Sequence, residues 1–229
     1  VEVACPNEVQ PTVAQGNPCF TTFGINQHAN GTYSSTSLEE VIQLAKAATV
    51  LAIGPGLGNR PDVTGFVLGL LDSTPDKPVV IDADGLNVLP LEPGPLAERA
   101  APLVMTPHPG EFARLTGLSR DEIQANRQEM AVEFARKWNA VLVLKGHRTL
   151  VSDGTRIYVN STGNPGMATG GTGDVLTGLL ASLIAQGMPP FDAACLAVWV
   201  HGRTGDIAAE RLGQASLIAS DLLETIPQA

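Results

Sequence analysis

Short apolar runs rich in β-branched residues recur along the chain, and they constrain its fold more than any other feature. Helical patterns lie between them, and two of these begin with the sequence of a capping box, Ser37 with Glu40 and Ser119 with Glu122. Alternating strands and helices predict an α/β fold with a mostly parallel central sheet flanked by helices in three layers, α/β/α. The polar ends of the strands should then form the ligand crevice. The four runs are residues 50–53, 79–81, 103–105 and 141–144.

The remaining segments predict a hairpin, two long helices and one long loop. Residues 150–152 and 156–159 flank Asp153-Gly154, whose positive φ angles suit a tight turn, and this predicts an antiparallel hairpin at one sheet edge. From Asp174 onward the spacing is helical, with one helix to about residue 186 and another from about 192 to 212. The polar segment 21–36 is predicted to be a long loop.

The bulk properties favour one α/β domain that binds neither nucleic acid nor membranes. A chain of 229 residues with 44% hydrophobic content suits one large domain with a single core. Its net charge of −9 opposes attraction to nucleic acid or to an anionic membrane surface. No apolar stretch reaches the ~20 residues of a membrane span. Three cysteines without C-x-x-C spacing suggest neither a disulfide framework nor a zinc site, which favours the cytoplasm.

The segment NPGMATGGTGD at residues 164–174, followed directly by an apolar helix over 175–184, is the most informative part of the sequence. A Gly-rich turn lets successive backbone N–H groups point at one spot, and a helix N-terminus adds a positive partial charge. An acidic protein can hold phosphate oxygens in this way without Lys or Arg. The predicted anion hole consists of Gly170, Gly171, Thr172 and Gly173.

Asp174, in the first turn of that helix, has two interpretations. Its carboxylate can cap the helix by satisfying free N–H groups. Alternatively, beside a bound phosphoryl group, it can take a proton from an attacking hydroxyl. We favour the catalytic interpretation, because the preceding residues already supply the anion site.

Four other strand ends carry candidate ligand contacts, each with a simpler structural alternative. GPGLG at 54–58 has the wrong spacing for a dinucleotide-binding fingerprint, and it is either a tight turn or a close approach to a ligand. In TPHPGE at 106–111, two prolines should display His108 toward a ligand. Lys145 can reach a phosphate or be solvated. Asp82, Asp84 and Asn87 could hold a hydrated Mg²⁺ through water or be simple turn residues. No Walker A sequence is present, which disfavours a P-loop NTPase.

Five blocks follow one another along the chain: GPGLG at 54–58, DADGLN at 82–87, TPHPGE at 106–111, LKG at 144–146 and NPGMATGGTGD at 164–174. In this order they resemble the blocks of the NAD(P)H-hydrate dehydratases. The resemblance continues through His201-Gly202 and residues 220–222, so it covers nearly the whole chain and implies a ribokinase-like fold with one domain over 1–229. It further implies that ADP or ATP, with Mg²⁺, phosphorylates the hydroxyl of hydrated NADH or NADPH, and that loss of phosphate restores the reduced cofactor. The GGTGD form is similar to that of the ADP-using members, which release AMP and phosphate.

The resemblance also implies roles for individual residues. Asp174 would be the base on the substrate hydroxyl, and Gly58 and His108 would contact the hydrated dinucleotide with it. No residue is assigned to the metal. A homo-oligomer such as a tetramer and a functional partnership with an NAD(P)H-hydrate epimerase are expected. The nucleotide would be bound by Lys145, Gly146, His147, Arg148, Thr149 and Gly173.

One departure from the family pattern concerns the start of the chain. Members normally begin with a further βα unit that carries a Gly- and Ala-rich loop, and nothing here matches it. Residues 1–4 resemble the middle of a β-strand, so the domain is expected to be N-terminally incomplete. No trace of a fused epimerase domain is found.

Two rival functions remain open at this stage. A small-molecule kinase of the same fold, such as a vitamin or hydroxymethylpyrimidine kinase, would share the anion site and the aspartate but yield a stable phosphorylated product. A non-catalytic nucleotide-binding module would hold phosphate without turnover, and Asp174 argues against it.

Overall fold

The computed structural model of the protein describes residues 1–29, 37–58 and 60–229. These residues form two compact units. The first unit consists of Val1–Ala48 and Gly56–Pro75, and the second of Thr49–Pro55 and Asp76–Ala229.

The first unit contains a pair of parallel strands and three helices. Strand β1 (Glu2–Pro6) pairs with β2 (Thr21–Ile25). Helix α1 (Gln10–Gly16) lies between them in the chain, and α2 (Leu38–Ala47) packs against α3 (Pro61–Ser73). α3 buries one apolar stripe, and its Gly69 leaves room for the side chain of Leu38.

Two predictions in this unit are wrong. The loop predicted over 21–36 begins as a strand, because the β-branched residues of Thr21–Ile25 pair with β1; residues 30–36 of that prediction lie outside the described part. The capping box at Ser37 is not formed. The Glu40 carboxylate instead accepts hydrogen bonds from the backbone N–H and the side-chain amide of Asn26, the latter at 2.6 Å.

The second unit is built on a six-stranded sheet with the strand order β3-β4-β5-β6-β7-β8. The first four strands are parallel, and β7 and β8 continue the sheet as an antiparallel hairpin with β8 at the edge. The prediction of four strands followed by an edge hairpin is therefore confirmed. The strands are β3 (Leu51–Ile53), β4 (Val79–Ile81), β5 (Leu103–Met105), β6 (Val141–Leu144), β7 (Leu150–Ser152) and β8 (Ile157–Val159).

Helices cover this sheet and complete the unit. The two long helices predicted after residue 174 are confirmed, and they start slightly earlier than expected. The capping box of Ser119 and Glu122 is also confirmed at the start of α6. The helices are α4 (Ala83–Asn87), α5 (Pro109–Thr116), α6 (Arg120–Ala125), α7 (Arg127–Trp138), α8 (Thr172–Ala185), α9 (Pro190–Leu212) and α10 (Ala219–Thr225), with single 3₁₀ turns at Gly94–Glu98, Pro165–Met167, Gln214–Ser216 and Ile226–Gln228.

Each face of the sheet has its own helical layer, so the predicted three-layer arrangement is confirmed. Val80, Val143 and Val151 belong to a buried cluster with Leu180 and Val198, which come from α8 and α9. α7 contacts β6 and β7. Within its layer, Phe134 stacks on Trp138 at 5.4 Å and meets Phe112 edge to face at 5.1 Å. Because both faces are covered, the strands are apolar at almost every position.

The carboxyl ends of the parallel strands stay in register for a few residues beyond the strands themselves. The backbone N–H of Asp82 donates to the carbonyl of Ile53, and that of Lys145 donates to the carbonyl of Pro107. Asp82 and Lys145, which directly follow β4 and β6, and the segment 106–108 after β5 are thereby brought to one edge of the sheet, as predicted. Over the described ranges, no helix is long and apolar enough to cross a membrane.

Candidate active site

The N-terminus of α8 has the geometry of an anion site. Gly171 is the N-cap residue and has φ +87°, a left-handed conformation that favours glycine. The Thr172 hydroxyl closes the turn through the carbonyls of Met167 and Thr169, each at 2.9 Å. Within the described part of the chain, the backbone N–H groups of residues 170–173 donate to no acceptor. Free amides thus lie at the positive end of a 14-residue helix.

Helix α9 holds the loop that leads into this site. Asp206 accepts hydrogen bonds from the Gly163 backbone N–H at 2.9 Å and from the Asn164 side-chain amide at 3.0 Å. The preceding residue, Gly205, faces the side chain of Met167, and a Cβ atom there would overlap the Met167 sulfur. The loop can therefore lie directly on the helix. Asp206 was not predicted, because its partners lie 42 and 43 residues away in the chain.

His201, also on α9, fixes the start of α8. Its Nε2 lies 2.8 Å from the carbonyl oxygen of Thr172, and because a carbonyl only accepts, Nε2 carries the proton. Burial lowers the pKa of His201 to about 4, against the raising effect of this hydrogen bond, and the charge of Lys145 lowers it further. The ring is therefore neutral at physiological pH.

The neutral His201 predicts that the protein loses stability in mild acid. The unfolded chain binds this proton near the ordinary pKa of 6.5, whereas the folded protein binds it only near pH 4. The neutral His201 ring therefore contributes fully to the free energy of unfolding above pH 6.5. This contribution, roughly 3 kcal/mol in total, is lost as the pH falls toward 4. Urea unfolding of the parent and of His201→Gln between pH 7.5 and 4 measures it. The variant should show a smaller loss, and equal losses would contradict this assignment.

Asp82, Lys145 and Thr177 form a buried polar cluster beside the anion site. The Asp82 side chain lies only 2.7 Å from the Lys145 ammonium, with Asp82 itself 1% exposed. The Thr177 hydroxyl donates to the other carboxylate oxygen at 2.9 Å. A Cβ atom at Gly173 would lie 3.3 Å from Lys145 Nζ. Two residues predicted to bind the nucleotide, Lys145 and Gly173, are therefore neighbours in space.

Asp174 lies in the first turn of α8 with its side chain exposed. Its carboxylate accepts no hydrogen bond from any residue in the described ranges, so the contact that the capping interpretation requires is not made. Partial desolvation raises the pKa of the Asp174 carboxyl above its ordinary value; Asp82 raises it further, and Lys145 opposes both. A raised pKa makes a carboxylate a stronger base.

His108 is displayed as predicted, and its ring orientation is fixed. The His108 side chain is 56% exposed. Its Nδ1 accepts hydrogen bonds from the backbone N–H groups of Gly110 and Glu111, and the Glu111 carboxylate accepts from the His108 backbone N–H at 2.7 Å. His108 is thus the N-cap of α5 in a reciprocal capping box. This role was not predicted, because the sequence signature of a capping box has Ser or Thr at the N-cap and not His.

Arg127, which was not predicted as a site residue, holds the loop from Lys145 to Thr149 in place. The guanidinium of Arg127, the first residue of α7, donates to the carbonyls of Leu144, Lys145, His147 and Arg148 at 2.7 to 3.3 Å. Burial lowers the pKa of Arg127. The Thr149 hydroxyl closes the loop onto the Gly146 carbonyl at 3.0 Å. The five residues are therefore pre-shaped as one loop.

The GPGLG segment was predicted to be either a tight turn or a close approach to a ligand, and its first and last glycines are considered separately. A Cβ atom at Gly54, which has φ +140°, would overlap the carbonyl oxygen of Asp82. The close approach at Gly54 is thus to protein backbone. Gly58 lies in the first unit with φ +82°, and its predicted substrate contact stays a prediction.

The Mg²⁺ hypothesis for Asp82, Asp84 and Asn87 gains no support. Both carboxylate oxygens of Asp82 are already engaged. No group of three or more His, Cys, Asp or Glu side chains suited to a metal ion occurs in residues 1–29, 37–58 and 60–229.

The fold and the site together define a ribokinase-like α/β protein in which a helix N-terminus can hold a phosphoryl group beside a carboxylate. A family model described as NAD(P)H-hydrate dehydratase matches residues 2–228, and the chain belongs to that family.

Named relatives agree with this family. The chain is 44% identical to the bifunctional NAD(P)H-hydrate repair enzyme of Moorella thermoacetica, covering 99% of this chain and 43% of the relative. It is 44% identical to the ADP-dependent (S)-NAD(P)H-hydrate dehydratase of Neisseria meningitidis, covering 81% and 64% of the two chains. The chain therefore spans less than half the length of the bifunctional relative.

A solved structure agrees with the fold. The ADP/ATP-dependent NAD(P)H-hydrate dehydratase from Bacillus subtilis, co-crystallized with ATP/Mg²⁺, is similar with a TM-score of 0.82 at 29% identity. The match covers 99% of this chain and 76% of that one.

Proposed function

We propose that this chain is an ADP-dependent (S)-NAD(P)H-hydrate dehydratase, a hydro-lyase that restores hydrated NADH and NADPH to the reduced cofactors. One observation carries the proposal: unbonded amides at residues 170–173 and the Asp174 carboxylate lie together at the N-terminus of α8. Family membership and the names of the relatives identify the substrate class.

The proposed reaction has two steps. Asp174 takes the proton of the substrate hydroxyl, the hydroxyl oxygen bonds to the terminal phosphorus of ADP, and the bond to AMP breaks. The amides of residues 170–173 stabilise the charge on the transferring group. Phosphate then leaves, together with a proton from the adjacent ring carbon, and the reduced nicotinamide is regenerated. Phosphorylation is needed because hydroxide is a poor leaving group and phosphate is a good one.

The binding roles follow the same arrangement. Gly58 and His108 would contact the hydrated dinucleotide with Asp174, and the Lys145–Thr149 loop with Gly173 would line the nucleotide site. Support comes from the shape that Arg127 gives the loop and from the neighbouring positions of Lys145 and Gly173. The B. subtilis relative was crystallized with ATP/Mg²⁺. The described residues offer no metal cage, so Mg²⁺ would arrive on the nucleotide phosphates, and no step is assigned to it.

A combined assay tests this function against both rivals. Hydrated NADH or NADPH is incubated with ADP or with ATP, and nicotinamide absorbance, phosphate and AMP are followed together. A dehydratase restores the absorbance and releases phosphate in equal amount. A kinase that accepts the hydrate would transfer the phosphoryl group to it and leave a stable phosphorylated product without that recovery, and a binding module would do neither.

Further proposals concern the domain, its location, its assembly and its partner. We propose that residues 1–229 act as one domain, since the family model spans 2–228. The three free cysteines suit a reducing cytoplasm. A homo-oligomer such as a tetramer rests on the family resemblance alone, and light scattering measures it. The bifunctional relatives support a partnership with an epimerase.

The anion site can be tested at its N-cap. Gly171→Ala forces alanine into φ +87° and brings its Cβ to 3.1 Å from the Cβ of Ala219. Because a left-handed alanine costs about 1–2 kcal/mol, the amides should turn away, and ADP affinity should fall about tenfold. Calorimetric titration measures the affinity.

The matched control is Gly178→Ala, on the same helix with nothing within 4 Å of the added Cβ. It should bind ADP like the parent. Unchanged affinity in Gly171→Ala would argue against phosphate binding at this helix.

A further inference from the structure

Asp82 joins three elements of the second unit at one buried point. It follows β4, its carboxylate pairs with Lys145 after β6 at 2.7 Å, and it accepts a hydrogen bond from Thr177 on α8 at 2.9 Å. These partners are 63 and 95 residues away in the chain. Nothing in the proposed reaction yet uses this carboxylate, although it is among the most buried charges of the described chain.

A buried carboxylate beside a phosphate-binding site is unfavourable unless another group compensates its charge. Alone, the Asp82 carboxylate would repel the phosphoryl group and pay a large desolvation cost. Paired, it neutralises the Lys145 ammonium and fixes its position. That position is informative, because a Cβ atom at Gly173 would lie 3.3 Å from Lys145 Nζ and 3.6 Å from Asp82 Oδ2. The ion pair therefore lies against the first turn of α8, where the free amides are.

We propose that Asp82 is a positioning residue of the phosphoryl-transfer site: it holds the Lys145 ammonium against the first turn of α8 and anchors that helix through Thr177. The inference rests on the function proposed above. Asp82 acts through Lys145 and the helix, without contacting the substrate.

In this arrangement the opposite charges of Asp82 and Lys145 both act on the proposed base, Asp174. Asp82 raises the pKa of Asp174, and Lys145 lowers it. The other titratable groups near Lys145 and Asp174 are the same in all variants. The Glu111 carboxylate, on α5, lies 4.0 Å from the Lys145 ammonium. His201, on α9, is neutral because burial lowers its pKa to about 4. Asp221, on α10, accepts a hydrogen bond from the backbone N–H of Ile218, the N-cap residue of that helix.

The test removes each charge separately. Asp82→Asn keeps the shape of the side chain and is expected to shift the acidic limb of the kcat/KM pH profile to lower pH. Lys145→Met is expected to shift it to higher pH. A weaker base should lower kcat of Asp82→Asn by about tenfold at neutral pH. Carbon-13 NMR titration of labelled aspartate follows Asp174 directly, without nucleotide or turnover.

Two further variants make the outcome decisive. Thr177→Val removes the hydrogen bond without changing a charge, and should lower the urea midpoint while leaving the Asp174 titration in place. In Lys145→Met the Asp82 carboxylate is buried without its cation, so Asp82→Asn added to it should recover stability and return the Asp174 titration toward that of the parent. This double variant also carries the test if Asp82→Asn alone does not fold.

The results separate this inference from the proposed function. Opposite shifts of the Asp174 titration in the two single variants support it. Shifts in one direction, or none, overturn it even if the parent restores the hydrated cofactor. A parent that never restores the cofactor removes the proposed function, whereas the NMR titration still reports whether the ion pair controls Asp174.

Discussion

Replacing Asp174 by Asn is expected to lower kcat by roughly 10²–10⁴ while ADP affinity stays within about twofold of the parent. The amide side chain has nearly the same shape but cannot take the proton of the substrate hydroxyl. Nucleotide binding should persist, because the proposed phosphate contacts are the backbone N–H groups of residues 170–173. Loss of a negative charge beside the phosphates can only favour binding.

Steady-state kinetics with hydrated NADH and calorimetric titration of ADP measure the two quantities separately. Asp121→Asn is the matched control, because Asp121 is also an exposed acid in the first turn of a helix, α6. It loses the same favourable interaction with a helix N-terminus and should keep full activity. If Asp174→Asn keeps the parent kcat, the carboxylate is not the base, and the reaction as proposed is wrong.

The fold of the second unit was predictable because its signals are local. Each parallel strand is a continuous apolar run, which only a sheet covered on both faces permits. The Asp153-Gly154 turn gives the hairpin its position, and Gly154 does have φ +87°. Such patterns extend over a few residues, so one sequence contains all the information they need.

The wrong predictions share one cause, which is competition from partners distant in the chain. Thr21–Ile25 is polar enough to resemble a loop, yet it pairs with β1 some 19 residues earlier. Glu40 has the correct spacing for a capping box with Ser37, but Asn26 takes its carboxylate. Tertiary contacts override local propensity in both places.

In the candidate site, too, the features with local sequence signals were predicted and the long-range contacts were not. The Gly-rich turn, Asp174 and the strand-end residues were found because each is marked within a short block of sequence. The contacts that hold them were not found: Arg127 reaches carbonyls 17 to 21 residues away, and Lys145 reaches Asp82 across 63. The sequence therefore identifies the groups that meet the ligand better than the groups that position them.

Gly54→Ala is expected to have the largest effect on stability. Gly54 has φ +140°, and a Cβ atom there would overlap the Asp82 carbonyl oxygen and crowd the Gly85 backbone nitrogen at 3.1 Å. These neighbours are backbone atoms, so no side-chain rotation relieves the overlap. β3 and the segment after β4 would have to separate, and the hydrogen bond from Asp82 N–H to the Ile53 carbonyl, 3.0 Å long, would be strained. We expect the free energy of unfolding to fall by about 3 kcal/mol or more.

Gly56→Ala is the control, because it places alanine at a positive φ in the same GPGLG block without a steric overlap. Gly56 has φ +76°, but nothing lies within 4 Å of an added Cβ. Only the left-handed conformation is then penalised, by about 1–2 kcal/mol. Urea unfolding of the two variants gives the difference directly. Because Gly54 lies against the backbone of the residue that pairs with Lys145, Gly54→Ala should also weaken ADP binding in the protein that remains folded. Equal losses of stability in the two variants would mean that β3 and Asp82 do not require this close approach.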